Sequence, residues 1–147
     1  MFKHILVPTD GSKLSVEAAK LAVKLAKSVG ARITGFYAAP TYDWTYYSDG
    51  VILPVPSAKD RAKLAHEQAR KCLSTVEVEA QLERVPCEVF HVTSDSPYEA
   101  IIDTAKKKEC DLICMASHGR RGLSGVLLGS ETLKVLTHSK IPVLVCR

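Results

Sequence analysis

The chain lacks the features that mark several large classes of protein. No apolar run approaches the ~20 residues of a membrane helix, so we expect no membrane partner. The opening residues, MFKHILVPTDGS, contain no apolar signal region followed by a small-residue cleavage site. The five cysteines form no CxxC pair and the five histidines are scattered, which argues against a zinc site. We therefore predict reduced thiols and a cytoplasmic location.

The chain also lacks a large net charge and a segment dominated by charges of one sign. The 20 Lys and Arg residues exceed the 16 Asp and Glu residues by only four. The lysines are spread along predicted helices, and the run Lys106–Lys108 ends one helix, where cations complement the helix dipole. We therefore expect no nucleic-acid partner. The length of 147 residues suits one domain, spanning residues 1–147, with one sizeable core.

Short apolar runs alternate with stretches of helical period along the whole chain. Strands are predicted at His4–Pro8, Arg32–Ala38, Cys87–Val92, Asp111–Ala116 and Ile141–Cys146, and helices at Ser12–Val29, Ser57–Val76, Pro97–Lys108 and Glu131–Thr137. This alternation predicts an α/β fold, a three-layer sandwich in which a five-stranded, mainly parallel sheet carries helices on both faces.

Three local patterns refine this prediction. The third strand contains Glu88 and His91, which suits a sheet edge, whereas the fourth and fifth are apolar throughout, as is typical of strands buried on both faces. Ser96 and Glu99 are spaced as a capping box. Residues 39–56 have no steady period and contain aromatics that suit a lid, a partner surface or a packed loop equally: Tyr42, Trp44, Tyr46 and Tyr47.

Ligands of such sheets bind at the carboxyl ends of the strands, where the strand order reverses. The loops predicted at that edge begin at Pro8, at Ala38 and at Ala116. The third of these loops lies in the stretch MASHGRRGLSGVLLGS, which contains four glycines, two adjacent arginines and a histidine. A candidate ligand site is therefore expected at this stretch.

The glycine-rich stretch has two interpretations. Gly119 would let the backbone approach a phosphate, while Gly129 and Ser130 would present N–H groups and a hydroxyl at a helix start, with Arg120 and Arg121 adding charge. Alternatively, the glycines serve turn geometry alone and the arginines lie on the surface. The chain has no GxxxxGK[ST] and no GxGxxG after the first strand, so a Walker A loop and a dinucleotide fold are not indicated.

The spacing resembles the motif of the universal stress proteins, G-x-x-G-x9-G-[ST] after the fourth strand. Here the motif runs from Ala116 through Gly119 to Gly129 and Ser130. The start, ILVPTDGS, and the end, HSKIPVLVCR, look like the first and last strands of the family, so the resemblance covers the whole chain. It implies a sheet with strand order 3-2-1-4-5.

The resemblance also implies an adenine nucleotide, namely ATP with magnesium or manganese. Asp10 and the backbone near Thr9 would meet adenine and ribose, and the motif residues would hold the phosphates. The nucleotide-binding residues carried over by resemblance are Pro8, Thr9, Asp10, Ala38, Met115, Ala116, His118, Gly119, Gly129, Ser130 and Glu131. No catalytic residue and no metal-ligating side chain is carried over, and the residues do not separate ATP from AMP or cyclic AMP.

Two residues depart from what a phosphate loop would favour. Ala116 replaces the first motif glycine, which is tolerable if the backbone there is extended and costly if it is left-handed. Glu131 follows Ser130, where its carboxylate favours the helix dipole but repels phosphate unless it turns away or holds the metal. We expect the extended backbone at Ala116.

The predicted function is a nucleotide-binding switch in a stress response, with little or no hydrolysis, because no residue is marked as a general base. The alternative is a nucleotide-independent dimeric adaptor of the same fold. A homodimer is expected because the apolar last strand would be a sheet edge and the family pairs this strand across a two-fold axis. The expected interface residues are Ile141, Pro142, Val143, Leu144 and Val145.

Overall fold

The computed structural model describes residues 1–41, 47–48, 51–52, 56–119 and 128–147. Seven strands and four helices are assigned in that part of the chain. The strands are β1 His4–Pro8, β2 Arg32–Ala39, β3 Tyr47–Ser48, β4 Val51–Ile52, β5 Cys87–Thr93, β6 Leu112–Ala116 and β7 Val143–Cys146, and the helices are α1 Lys13–Val29, α2 Ala58–Leu82, α3 Pro97–Lys107 and α4 Ser130–His138.

Five of the strands form one sheet in the order β5-β2-β1-β6-β7. Every pairing in this sheet is parallel, and the register of β1 on β2 runs from His4 opposite Arg32 to Pro8 opposite Phe36. Counted in chain order, the sheet has the expected order 3-2-1-4-5, with the strand predicted as an edge, β5, at its edge. The order reverses between β1 and β6, so the carboxyl ends of these two strands form the switch point where ligands bind in such folds.

Alternating side chains of the central strands build a core on each face of the sheet. Ile5 and Val7 of β1 pack with residues of α1 and α2, whereas Leu6 packs with residues of α3 and α4. The period-2 alternation of a strand explains the division, since neighbouring side chains point to opposite faces. The helices therefore lie on both faces, and the three-layer sandwich predicted from the sequence is confirmed.

Two helix starts differ in how they are capped. The Ser12 side chain caps α1 by accepting a hydrogen bond from the Ser15 N–H. The capping box predicted for α3 is wrong in its main contact, because the Ser96 side chain makes no cap hydrogen bond. Instead, the Tyr98 N–H donates to Glu131 Oε2 at 2.9 Å, so a carboxylate on α4 supplies the acceptor. No local pattern predicts that contact.

The last strand is shorter and more exposed than predicted. It begins at Val143, so Ile141 and Pro142 precede it, although the Pro142 carbonyl already accepts a hydrogen bond from the Ile113 N–H. It is also not buried on both faces, since Leu144 is 38% exposed. The reason is its place at the edge of the sheet, where β6 is its one partner in the described chain.

The segment predicted without regular structure contains a short antiparallel pair, β3 and β4. The aromatic residues Tyr42, Trp44 and Tyr46 lie outside the described residues, as does the side chain of Tyr47. Of the helices in the described ranges, none combines the length and the apolar character needed to cross a lipid bilayer.

Candidate functional site

The loop after β1 is a tight turn that holds the Asp10 carboxylate at the edge of the sheet. The Thr9 N–H donates to the Phe36 carbonyl at 2.9 Å, which continues the β1–β2 pairing beyond the end of β1. Gly11 adopts the left-handed backbone, φ 76°, that glycine accepts without cost. Asp10 Oδ1 accepts a hydrogen bond from the Ser12 N–H at 2.9 Å, an arrangement that fixes the carboxylate against its own turn.

The loop after β6 closes on itself through backbone hydrogen bonds. The Ser117 N–H donates to the Cys146 carbonyl at 2.7 Å, and the Gly129 N–H donates to the Ser117 carbonyl at 2.7 Å. The Thr132 hydroxyl donates to the Ala116 carbonyl at 3.0 Å. The two ends of the loop are thereby held together at the end of β6. We call residues 117–119 and 129–130 the cradle.

The two loops meet at the switch point between β1 and β6. A β-carbon added at Gly119 would overlap Asp10 Oδ2, so the carboxylate lies directly against the glycine. Gly129 is also closely packed, although less tightly, because an added β-carbon would lie 3.1 Å from both Cα and Cβ of His118. The structure therefore brings together Asp10, Gly119 and Gly129, which the sequence analysis selected from separate parts of the chain.

Ala116 sits in the cradle's supporting strand without strain. It is the last residue of β6, and the described non-glycine residues with positive φ are Arg84 and Glu109. Its methyl group is buried in the core on the α1 side of the sheet. The extended backbone expected at this position is confirmed, so alanine in place of the motif glycine costs no left-handed strain.

Among the described residues, the Glu131 carboxylate has two partners, and neither belongs to the cradle. Its Oε2 accepts the Tyr98 N–H at the start of α3, and its Oε1 pairs with Lys134 Nζ at 3.0 Å one turn further along α4. The side chain therefore bridges the starts of two helices. The carboxylate is thus turned toward the start of α3 and not toward the cradle.

The start of α4 has the character of an anion-accepting end. Gly129 is the N-cap with extended backbone, φ −70° and ψ 156°, and as a glycine it offers no side chain of its own to cap the helix. The N–H groups of a first helical turn lack partners within the helix and carry the positive end of its dipole. Ser130, the first helical residue, is exposed at this end. The cradle can accordingly attract an anion by backbone groups and a hydroxyl.

The other predicted site residues lie at the same edge but differ in exposure. Pro8 is buried at the end of β1, and Ala38 is half-buried near the end of β2. Met115 is buried in the core on the α3 side, so its side chain packs in the protein interior. His118 Nδ1 lies 3.1 Å from the Ser117 hydroxyl. Arg120 and Arg121 lie outside the described residues.

Sequence reasoning missed two residues that hold the cradle closed. Ser117 is buried and joins β7, β6 and the start of α4 through its backbone, and the buried Thr132 ties α4 to Ala116. The signal for Ser117 lay inside the motif, between its first two positions. The signal for Thr132 was a hydroxyl residue in the first turn of a helix, which by itself does not identify a partner.

The fold and the site define an α/β protein with an anion-accepting cradle at the switch point of a parallel sheet. The sequence model of the "Universal stress protein family" matches residues 1–147, and the chain belongs to that family. A universal stress protein of Thermus aquaticus is 34% identical over 149 residues that cover 100% of both chains. Universal stress protein MJ0531 of Methanocaldococcus jannaschii is 32% identical over 148 residues, which cover 100% of this chain and 83% of the relative.

Three solved structures of similar fold contain adenine nucleotides. A universal stress protein in complex with cAMP has a TM-score of 0.72 at 23% identity, covering 99% of this chain and 97% of its own. The universal stress protein of Archaeoglobus fulgidus in complex with dAMP has a TM-score of 0.71 at 16% identity, with coverage of 99% and 98%. A family protein of Arabidopsis thaliana with AMP bound has a TM-score of 0.68 at 17% identity, with coverage of 98% and 90%.

Proposed function

We propose that this chain binds an adenine nucleotide, ATP before AMP or cyclic AMP, between the carboxyl ends of β1 and β6. In this proposal it acts as a nucleotide-dependent switch in a stress response and hydrolyses the nucleotide slowly or not at all. The observation that carries the proposal is the meeting of Asp10 with Gly119 at the switch point, where α4 also begins with glycine as its N-cap. The choice of an adenine nucleotide as ligand is supported by the similar structures that contain cAMP, dAMP or AMP.

The nucleoside end is assigned to the loop after β1. Asp10 Oδ1 is held by the Ser12 N–H, so the carboxylate has a set position when a ligand arrives. A carboxylate is suited to accept hydrogen bonds from ribose hydroxyls, as an acidic residue does in dinucleotide-binding folds. The half-buried Ala38, near the end of the adjacent strand β2, would offer its backbone to adenine.

The phosphate end is assigned to the cradle. Gly119 and Gly129 have no β-carbon where Asp10 and His118 leave no room for one, so the loop after β1 and the start of α4 can pack close together at the proposed phosphate end. The first turn of α4 contributes N–H groups and the Ser130 hydroxyl, which are the groups that bind phosphate at helix starts. Because Glu131 is turned to Tyr98 and Lys134, its charge is partly compensated away from the cradle.

A divalent ion fits this arrangement as a companion of ATP. In the described chain, no three His, Cys, Asp or Glu side chains are grouped as a metal-binding set. We propose that magnesium or manganese is held by the phosphate oxygens and reduces the repulsion among the phosphate charges. The residues of the chain would then contact the nucleotide, and the ion would be bound by the phosphates and by no protein side chain.

Slow hydrolysis is proposed from the hydrogen bonds of the candidate bases. Glu131 is engaged with α3 and Lys134, and His118 contacts the Ser117 hydroxyl through Nδ1, so only its Nε2 would serve as a base. A general base must reach the attacking water to take its proton. Formation of ADP or AMP well above background, lost in His118→Ala, would contradict this part of the proposal.

A homodimer through β7 is part of the same proposal. Leu144 is 38% exposed, and Val143 and Val145 are half-buried, so the edge strand carries apolar side chains to the surface. A second copy pairing with this edge would cover them and satisfy the free strand edge. Sedimentation at micromolar concentration tests this part, and a monomer would contradict it. The cytoplasmic location inferred from the thiols stays a prediction.

The binding proposal is tested by Ser130→Asp, which places a carboxylate at the first residue of α4. The matched control is Ala58→Asp, because Ala58 is the exposed first residue of α2 and the change adds the same charge at the same helical position. An acidic residue favours a helix start, so both variants should fold. We expect calorimetric titration of nucleotide-stripped protein with Mg-ATP to show binding that Ser130→Asp weakens at least ~10-fold, or ~1.4 kcal/mol, and that Ala58→Asp leaves unchanged.

The outcomes separate the proposal from its alternative. Equal weakening by both variants would mean that net charge, and not the cradle, governs binding. No heat from folded wild-type protein with Mg-ATP, AMP or cyclic AMP would refute nucleotide binding. If that protein is still a dimer, the nucleotide-independent adaptor becomes the better account.

A further inference from the structure

Two of the five free cysteines lie side by side beneath the cradle. Cys114 on β6 and Cys146 on β7 have their sulfur atoms 3.6 Å apart, although 32 residues separate them in the chain. Both side chains are buried on the α1 side of the sheet. The other three cysteines lie elsewhere: Cys72 on α2, Cys87 at the start of β5, and Cys110 after α3. The juxtaposition is thus particular to one pair.

The two thiols of this pair are not equivalent. Cys114 is fully buried, whereas Cys146 is 7% exposed and lies on the edge strand. Either thiol can donate the hydrogen bond that joins the two sulfurs; donation by the fully buried Cys114 lowers the pKa of the more exposed Cys146 and raises that of Cys114. The thiolate is the reactive form of cysteine, so Cys146 is the nucleophile of the pair and Cys114 its proton-bearing neighbour.

The more accessible Cys87 provides the contrast. Burial raises its pKa to about 11, and burial also raises the pKa of Cys110 to about 12. Both therefore remain thiols at neutral pH. Exposure alone would favour Cys87 as the reactive cysteine, while the geometry of the pair favours Cys146.

We propose that Cys114 and Cys146 form a redox modification site that a hydroperoxide converts into a disulfide within the chain. The Cys146 thiolate attacks the terminal peroxide oxygen and the O–O bond breaks, which leaves a sulfenic acid on Cys146 and, once a proton is taken up, releases water from hydrogen peroxide or an alcohol from an organic hydroperoxide. The Cys114 sulfur then attacks the sulfenic sulfur, the S–O bond breaks, and the departing hydroxide takes the Cys114 proton as water. The two thiols give up two electrons to the peroxide, and a dithiol reductant reverses the change.

The bond requires the two strands to move, because Cys114 lies opposite Leu144 and Cys146 lies opposite Ala116, so the two cysteines are offset by two residues. A disulfide has its sulfurs about 2.05 Å apart, so those of Cys114 and Cys146 must approach by about 1.5 Å. The Cys146 carbonyl also accepts the Ser117 N–H, and Ser117 in turn accepts the Gly129 N–H. The modification site is therefore joined to the cradle by one hydrogen bond, from the Ser117 N–H to the Cys146 carbonyl.

The test is mass spectrometry of the folded full chain after exposure to hydrogen peroxide. Reduced wild-type protein is oxidised, its remaining thiols are alkylated, and it is digested without reductant. We expect a linked pair of peptides containing Cys114 and Cys146, at least ~5-fold more abundant than any other cysteine pair, and its loss after dithiothreitol. The control Cys72→Ala removes another buried thiol on α2 and should leave the linked pair unchanged.

Two variants test the order of the steps. Cys114→Ala should leave the sulfenic acid of Cys146 without a resolving thiol, so dimedone should label Cys146 at least ~5-fold more than in wild type. Cys146→Ala should abolish peroxide oxidation of Cys114. The proposal is overturned if folded wild-type protein gives no Cys114–Cys146 link, or if Cys87 is oxidised before Cys146. The wild-type measurement needs no variant, and it does not depend on nucleotide binding.

Discussion

The bridge made by Glu131 between α4 and α3 gives a quantitative prediction about stability. Replacing Glu131 with alanine removes the acceptor for the Tyr98 N–H, the exposed pair with Lys134, and an acidic side chain from the first turn of α4. The first loss resembles the loss of an N-cap, about 1 kcal/mol, and the other two add a few tenths of a kcal/mol each. We expect a total loss of about 2 kcal/mol in the free energy of unfolding.

The matched control is Glu17→Ala on α1. Glu17 pairs with Lys20 three residues later at 3.2 Å, as Glu131 pairs with Lys134 at 3.0 Å. The partner Lys20 is on the same helix as Glu17, and Glu17 lies beyond the first turn of that helix. Loss of such a pair costs about 0.3–0.5 kcal/mol. The two variants therefore differ mainly in the contact with Tyr98.

Urea denaturation followed by circular dichroism measures both variants. The midpoint of Glu131→Ala should fall well below that of Glu17→Ala with an unchanged m-value, and its melting temperature should fall by about 4–8 °C. Glu131→Gln keeps an acceptor oxygen and should lie between wild type and the alanine variant. If the free energies of the two alanine variants agree within about 0.3 kcal/mol, the bridge does not stabilise the fold and this reasoning is wrong.

Two further predictions concern the packing of the sheet and the pH dependence of stability. Gly35→Ala places a β-carbon 3.1 Å from Val76 Cγ1 and 3.3 Å from Val89 Cγ1, so overpacking should cost about 1–3 kcal/mol in urea denaturation, and a midpoint at or above wild type would contradict this. His4 is buried against Thr34, and burial holds its pKa below the ordinary value of 6.5. The unfolded chain therefore takes up this proton first, so wild type should lose more stability than His4→Gln as pH falls below 6.5, whereas parallel pH profiles would argue against it.

Much of the fold follows from local pattern. The apolar run of β1 was predicted with its observed bounds, His4–Pro8, because a buried strand needs a run that is apolar on both faces. The polar Glu88 and His91 placed β5 at an edge, and that is where it lies. Ser12 caps the start of α1 through its side chain, and Gly30 caps its end with left-handed backbone at φ 71°. Caps, periods and apolar runs involve neighbouring residues, so the sequence alone specifies them.

The candidate site divides in the same way. The motif identified Gly119, Gly129 and Ser130, and the turn after the first strand identified Asp10. That Asp10 lies against Gly119 depends on β1 and β6 being neighbours in the sheet, which no local period encodes. The extended backbone at Ala116, left conditional by the sequence, was decided by its place at the end of β6.

The amino-acid sequence thus determined which segments become strands and helices, and which residues stand at the carboxyl edge of the sheet. The tertiary structure alone decided which of those residues touch. It turned Glu131 toward α3, left Leu144 exposed on an edge strand, and placed Cys114 beside Cys146. The physical reason is that the two contacts join segments far apart in the chain, and the exposure of Leu144 depends on which strands lie beside β7. Strand order and helix packing set such distances, and they arise only when the whole core assembles.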